Sequence, residues 1–151
     1  MSCFCLARRL ERISWCETCV DRLAGDGNHT IADEVDEITI KGLHRIKVKD
    51  DKGEPDEALL EIRFCKLRVL PPIGKQKKYP ALNLTVIHAQ ERGMPKRRKK
   101  IEWKLLTNLP VKSRKDTIEK LEWYAMRWKI EVFHKILKSG CKAEESKLAD
   151  R

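Results

Sequence analysis

Apolar and polar residues alternate with a period of two over several stretches between about residues 38 and 91, the spacing of strands with one face turned inward. Ile46-Lys47-Val48 and Leu60-Glu61-Ile62-Arg63-Phe64 both follow it, separated by turn chemistry at Asp50-Asp51-Lys52-Gly53-Glu54-Pro55. After Cys65-Lys66 the apolar side passes to Leu67 and Val69, a slip of phase that predicts a bulge or a bend. Leu82-Asn83-Leu84-Thr85-Val86-Ile87-His88 predicts the next strand. Ile101, Trp103 and Leu105 share one side of another, ended by Pro110 and Val111. Together these predict a small antiparallel sheet. Upstream, Gly25-Asp26-Gly27-Asn28 is a sharp turn, and residues 1–20 show only weak helical spacing at Leu6, Leu10 and Ile13.

From Arg114 the period changes to that of a helix. Ser113 followed by Asp116 resembles a capping box, and Ser139-Gly140 is a stop signal, so one long helix is predicted from about Arg114 to Lys138. At about 100° per residue, Tyr124, Arg127, Glu131 and Lys138 fall in one stripe about 60° wide, with Lys120 inside it. Leu121, Ala125, Trp128, Val132 and Ile136 form an adjoining arc, with Met126, Ile130, Phe133 and Leu137 beyond. Apolar residues over so much of the circumference predict a helix largely wrapped in protein. A carboxylate flanked there by cations is either paired or holds something charged, because an isolated buried charge is too costly. An internal ladder based on the Arg127–Glu131 i, i+4 pair is one reading, and a catalytic carboxylate is the other.

Charge adds a partner to this picture. The 151-residue chain carries a net charge of +10, which points toward a polyanion such as nucleic acid. Five cations stand in a row at Lys96-Arg97-Arg98-Lys99-Lys100, and Lys75, Lys77 and Lys78 form a second basic loop. Such runs are solvated loops or phosphate contacts, and phosphate contact needs only cations, so it implies no sequence specificity. No run of about eighteen apolar residues exists, and no apolar segment near Met1 resembles a secretory signal, so a soluble cytoplasmic chain without a membrane partner is expected. Six cysteines include Cys16-Glu17-Thr18-Cys19, with the gap of a zinc knuckle, and Cys3 and Cys5. No second two-residue-gap pair follows, which favours free thiols over a zinc-stabilised interaction domain.

Tyrosine, two residues, arginine, three residues, glutamate, six residues, lysine is the series at Tyr124, Arg127, Glu131 and Lys138. Set in Arg127-Trp128-Lys129-Ile130-Glu131-Val132-Phe133-His134-Lys135, it resembles the YREK signature of the insertion-sequence-four family of bacterial transposases. The resemblance covers most of the chain from about Thr18, weakly through the sheet and strongly from Trp103 to Lys138. It implies an α+β fold: an antiparallel β insertion subdomain plus the terminal strand and long helix of an incomplete RNase H-like domain. The expected divisions are residues 1–20 without assignment, 21–95 as the β insertion, 96–140 as basic loop, strand and catalytic-type helix, and 141–151 as a polar tail.

By the same resemblance Glu131 is the third carboxylate of a DDE triad and a ligand to Mg²⁺ or Mn²⁺. Tyr124, Arg127 and Lys138 hold DNA phosphate, and Trp103 stacks on a base flipped out of the duplex, a contact worth roughly 1–3 kcal/mol. Trp128 stands beside Arg127 in the same neighbourhood, and for both tryptophans a core aromatic is the alternative. The implied partners are transposon-end DNA and intact copies of the transposase, in the bacterial cytoplasm at the nucleoid, with no small-molecule substrate. The family chemistry is metal-dependent phosphodiester hydrolysis and strand transfer.

One departure matters. Residues 1–20 contain no aspartate, and Asp21, Asp26 and Asp33 lie beyond the expected position of the second carboxylate, in turn-like surroundings. One glutamate does not hold two divalent ions in catalytic geometry. The chain is therefore expected to be inactive alone, to bind no divalent ion tightly, and to leave apolar helix surface uncovered where core strands are missing. A stand-alone basic module that binds nucleic acid through Lys75–Lys78 and Lys96–Lys100 without catalysis remains the alternative.

Overall fold

The computed structural model describes residues 14–15, 23–25 and 27–140, with only the backbone described for Ser14, Trp15, Trp128, Glu131 and Gly140. The weak helical spacing near Leu6, the cysteines at 3, 5, 16, 19 and 141, Asp21, Asp26 and the polar tail lie outside those residues. Strands β1 (Ser14–Trp15), β2 (Leu23–Ala24) and β3 (His29–Thr30) precede a short helix α1 (Ile31–Asp36). Then follow β4 (Gly42–Lys49), β5 (Pro55–Val69), β6 (Leu82–Glu91), β7 (Glu102–Thr107) and the long helix α2 (Arg114–Gly140). The described strands form one antiparallel sheet in the order β1-β7-β6-β5-β2-β3, with β4 paired to β5 on the edge that β2 also uses. The mixed α+β class, the antiparallel sheet and the long C-terminal helix are as expected.

Predicted turns and caps form for the expected reasons. Asp50 folds the β4–β5 turn by accepting from the Lys52 and Glu54 amides at 2.9 and 2.8 Å. Gly25 and Gly27, with φ of 62° and 92°, supply the left-handed backbone between β2 and β3. Ser113 and Asp116 cap α2 reciprocally at 3.1 and 3.2 Å, so the helix starts at Arg114 as its spacing predicts.

The predicted bulge in β5 is absent. Pairing of β5 with β6 runs without a break from Leu60 opposite Glu91 to Val69 opposite Leu82. The slip of phase instead marks a change in which face is covered. Ala58, Leu60 and Ile62 are buried on one face, which buried Ala89, Ile87 and Leu105 continue across β6 and β7, with Ile62 opposite Ala89 and Ile87 opposite Leu105. Val69 is buried on the opposite face, in a cluster with Leu84, Val86, Leu106, Ala24 and the α1 residues Ile31 and Val35. β6 takes part in both, and Leu84 to Ala89 are buried without interruption. Each fully buried Leu or Ile contributes roughly 1.5–3 kcal/mol.

Contacts divide the chain into two compact units, Met1–Thr117 and Ile118–Arg151. β7 belongs to the first, hydrogen-bonded along six residues to β6, so the strand expected to start the RNase H-like part continues the sheet of the 21–95 region. In the second unit the expectation of a helix wrapped in protein does not hold. Trp123, Met126, Ile130, Phe133 and Ile136 are all exposed, because no other described element in this unit covers them. Among the described residues, no helix is long and apolar enough to cross a membrane.

Candidate nucleic-acid interface

The five-cation run lies in the loop between β6 and β7, and the structure separates its members. The Arg98 guanidinium forks onto the Glu91 carboxylate with Nη1–Oε2 at 2.7 Å and Nη2–Oε1 at 2.5 Å, while Nε donates to Asp56 Oδ2 at 2.8 Å. The Arg98 and Glu91 side chains are only 8% and 5% exposed, so the pair is a buried clamp. Glu91 Oε2 also accepts the Ile101 amide at 3.1 Å, and the Asp51 amide donates to the Arg97 carbonyl at 3.1 Å. Arg98 therefore ties the loop to β5 and β6, and its fork is committed to carboxylates. Its partner holds Glu91 below the usual carboxylate range, and Glu91 raises Arg98. Asp56 is lowered first by the Glu57 amide, then by Arg98.

With Arg98 turned inward, Lys96, Arg97, Lys99 and Lys100 remain exposed at the rim. The recess below them is mixed in charge, with Asp50, Glu54 and Glu57 in its lining beside Lys96 and Arg97. Trp103 is half-buried on β7, two residues past Ile101, at the same end of the sheet as this loop. The second basic loop, with Lys75, Lys77 and Lys78 exposed, connects β5 to β6. The two loops flank the ten residues of β6, roughly 30 Å apart at strand rise, so they do not form one patch.

Tyr124, Arg127, Glu131 and Lys138 all lie on α2 without a break. Tyr124 is half-buried, and Arg127 and Lys138 are exposed. The Glu131 side chain and that of Trp128 lie outside the described atoms. Lys120, within the same stripe, is buried, bonded to Glu119 at 2.7 Å, and stacked 4.0 Å above the Trp123 ring.

Sequence reasoning missed a buried polar group on β6. His88 is 2% exposed and its Nε2 lies 2.9 Å from Glu102 Oε1, the oxygen that Lys104 Nζ approaches at 3.4 Å. Burial lowers the His88 pKa, opposed by the Glu102 bond, and in the neutral ring Nε2 donates to the carboxylate. That leaves Nδ1 as an acceptor without a hydrogen-bond partner, opposite Arg63, whose Nε also lacks one. A histidine at the inward phase of a period-two strand was the available signal.

Asp33, one of the aspartates near the expected triad position, is spent on the capping box of α1, accepting from the Thr30 hydroxyl and amide at 2.7 and 2.9 Å. Those bonds lower its pKa. Among the described residues no three His, Cys, Asp or Glu side chains gather to hold a metal ion. No protein-family model matches the chain.

Proposed function

We propose that this chain is a piece of the catalytic domain of an insertion-sequence-four type transposase, that it binds the DNA backbone, and that it does not cut DNA on its own. The observation that carries this reading is the placement of Tyr124, Arg127, Glu131 and Lys138 on one unbroken helix entered directly from strand β7. In that reading β7 and α2 are the closing strand and helix of an RNase H-like fold, and β4 to β6 belong to its insertion. In the complete enzyme Mg²⁺ or Mn²⁺ supplies phosphodiester hydrolysis and strand transfer. This chain supplies binding: Lys96, Arg97, Lys99 and Lys100 contact phosphate, Trp103 offers a stacking surface beside them, and Tyr124, Arg127 and Lys138 orient a strand near Glu131. Transposon ends and intact copies in the bacterial nucleoid are its partners.

A second reading, a basic nucleic-acid-binding module without catalytic ancestry, is favoured by one observation. The Arg98 clamp presents four exposed cations with no help from the α2 stripe. Duplex binding by Arg127→Ala and Lys138→Ala variants separates the two. The transposase reading expects both to weaken binding, whereas the module reading expects only the loop variants to do so. A plasmid-nicking assay with Mg²⁺ or Mn²⁺ tests inactivity, and nicking abolished by Glu131→Ala would overturn it.

A further inference from the structure

The loop between β6 and β7 carries its cations on a fixed frame and has an apolar tip. Its neck is closed where the Glu91 amide donates to the Ile101 carbonyl and the Arg92 amide to the Leu59 carbonyl, each at 2.8 Å. The Arg98 fork and the bond from the Asp51 amide to the Arg97 carbonyl hold the rest. Past the neck, Gly93 turns the chain with a φ of 86°, and Met94 and Pro95 follow. Met94 is 80% exposed, although methionine belongs to the residue types most often buried. Residues 92–101 contain no acidic side chain, and Lys96, Arg97, Lys99 and Lys100 stand exposed beside the tip.

We infer that Met94, backed by Pro95, is a wedge that enters the minor groove of duplex DNA and opens one base step, bending the duplex. This rests on the DNA-backbone reading and adds how the duplex is deformed. Proteins that kink DNA insert a single apolar side chain between bases, methionine and proline among those used, while neighbouring cations hold the strands. The minor groove is about 6 Å wide, which admits one side chain rather than a helix. Asp50, Glu54 and Glu57 line the recess below and repel phosphate, so the DNA backbone stays with the cations at the rim. Because the clamp already orders the loop, insertion gives up little conformational freedom. A lipid surface suits the tip less. One methionine buries less apolar surface than one acyl chain, and a single acyl chain holds a protein to a membrane only marginally.

A duplex of about 30 base pairs with a donor and an acceptor dye at its ends, titrated with the full chain, reads the bend by resonance energy transfer. The parent chain should bend it by at least about 20°. Met94→Ser should lose most of the bend and weaken binding severalfold, with the salt slope unchanged because the four cations remain and the far-ultraviolet circular dichroism unchanged because Met94 is exposed. Ile73→Ser, at an 84% exposed position at the other end of β6, is the control and should keep the full bend. A duplex that is bound but stays straight overturns the inference, as does a bend that Met94→Ser retains or that Ile73→Ser removes equally, and each leaves the backbone reading standing. No binding to duplex at all overturns both. Binding to phosphatidylserine vesicles that Met94→Ser abolishes, with no bend in the duplex, overturns it in favour of a lipid surface.

Discussion

Replacing Arg98 by alanine tests whether the clamp, rather than direct phosphate contact, is what this residue contributes. The substitution removes the fork to Glu91 at 2.7 and 2.5 Å and the bond to Asp56 at 2.8 Å. Glu91, 5% exposed with Arg98 in place, would then keep only the Ile101 amide. Removing one partner of a buried pair costs about 3–5 kcal/mol because the other charge is left uncompensated. Asp56 stays 45% exposed and hydrates readily, and the pair lies near the sheet rim, so the lower figure of about 3 kcal/mol applies. At this chain length that corresponds to a fall in Tm of roughly 10 °C, measurable by circular dichroism. Arg98→Lys should recover little, since an ammonium does not reproduce the fork. Arg98→Ala with Glu91→Ala should recover part, because the stranded charge is gone. A single Arg98→Ala variant melting within about 2 °C of the parent would refute the reasoning.

Three further outcomes follow from the same structure. Ile62→Ala, at a fully buried position, should cost about 2–5 kcal/mol in denaturant unfolding, while Ile73→Ala, at an 84% exposed position, should stay within about 0.5 kcal/mol. Because His88 titrates below its ordinary value near 6.5 when folded, the unfolded chain binds more protons just under that pH, so stability should fall as pH drops through that window. Glu91, lowered by Arg98, and Glu102, where burial pushes up but the His88 bond and Lys104 prevail, add a second loss below about pH 4.5. His88→Gln should remove the first loss and leave the Glu91 share of the second. Finally, supercoiled plasmid incubated with the chain and Mg²⁺ or Mn²⁺ should remain unnicked, as gel electrophoresis will show.

What could be read from the sequence is what depends on near neighbours. The Ser113–Asp116 cap, the Asp50 turn and the strands around Ile46, Leu60 and Leu84 are set by residues a few positions apart. The slip at Cys65 was visible, but alternation reports only that a side chain is inward, not which of two covered faces it enters. Helix α1 is too short for a 3.6-residue period to register, although Thr30 and Asp33 already carried its capping signal. Among five adjacent cations nothing in the run marks Arg98, because its partners, Glu91 and Asp56, are 7 and 42 residues away. His88 needed Glu102, 14 residues on and across the β6–β7 pair, before its role could be seen. The spacing of Tyr124, Arg127, Glu131 and Lys138 was legible as a helical stripe, since offsets within one helix need no tertiary knowledge.

Fluorescence anisotropy of a labelled duplex titrated with the full chain over a series of salt concentrations tests the central claim, DNA-backbone binding, most directly. If Lys96, Arg97, Lys99 and Lys100 carry the contact, log K should fall against log salt with a slope of roughly −3 to −4, alike for unrelated sequences. Replacing the four by alanine should flatten that slope. Absent binding, a slope near zero, or binding that survives the fourfold replacement with its slope intact would contradict the account.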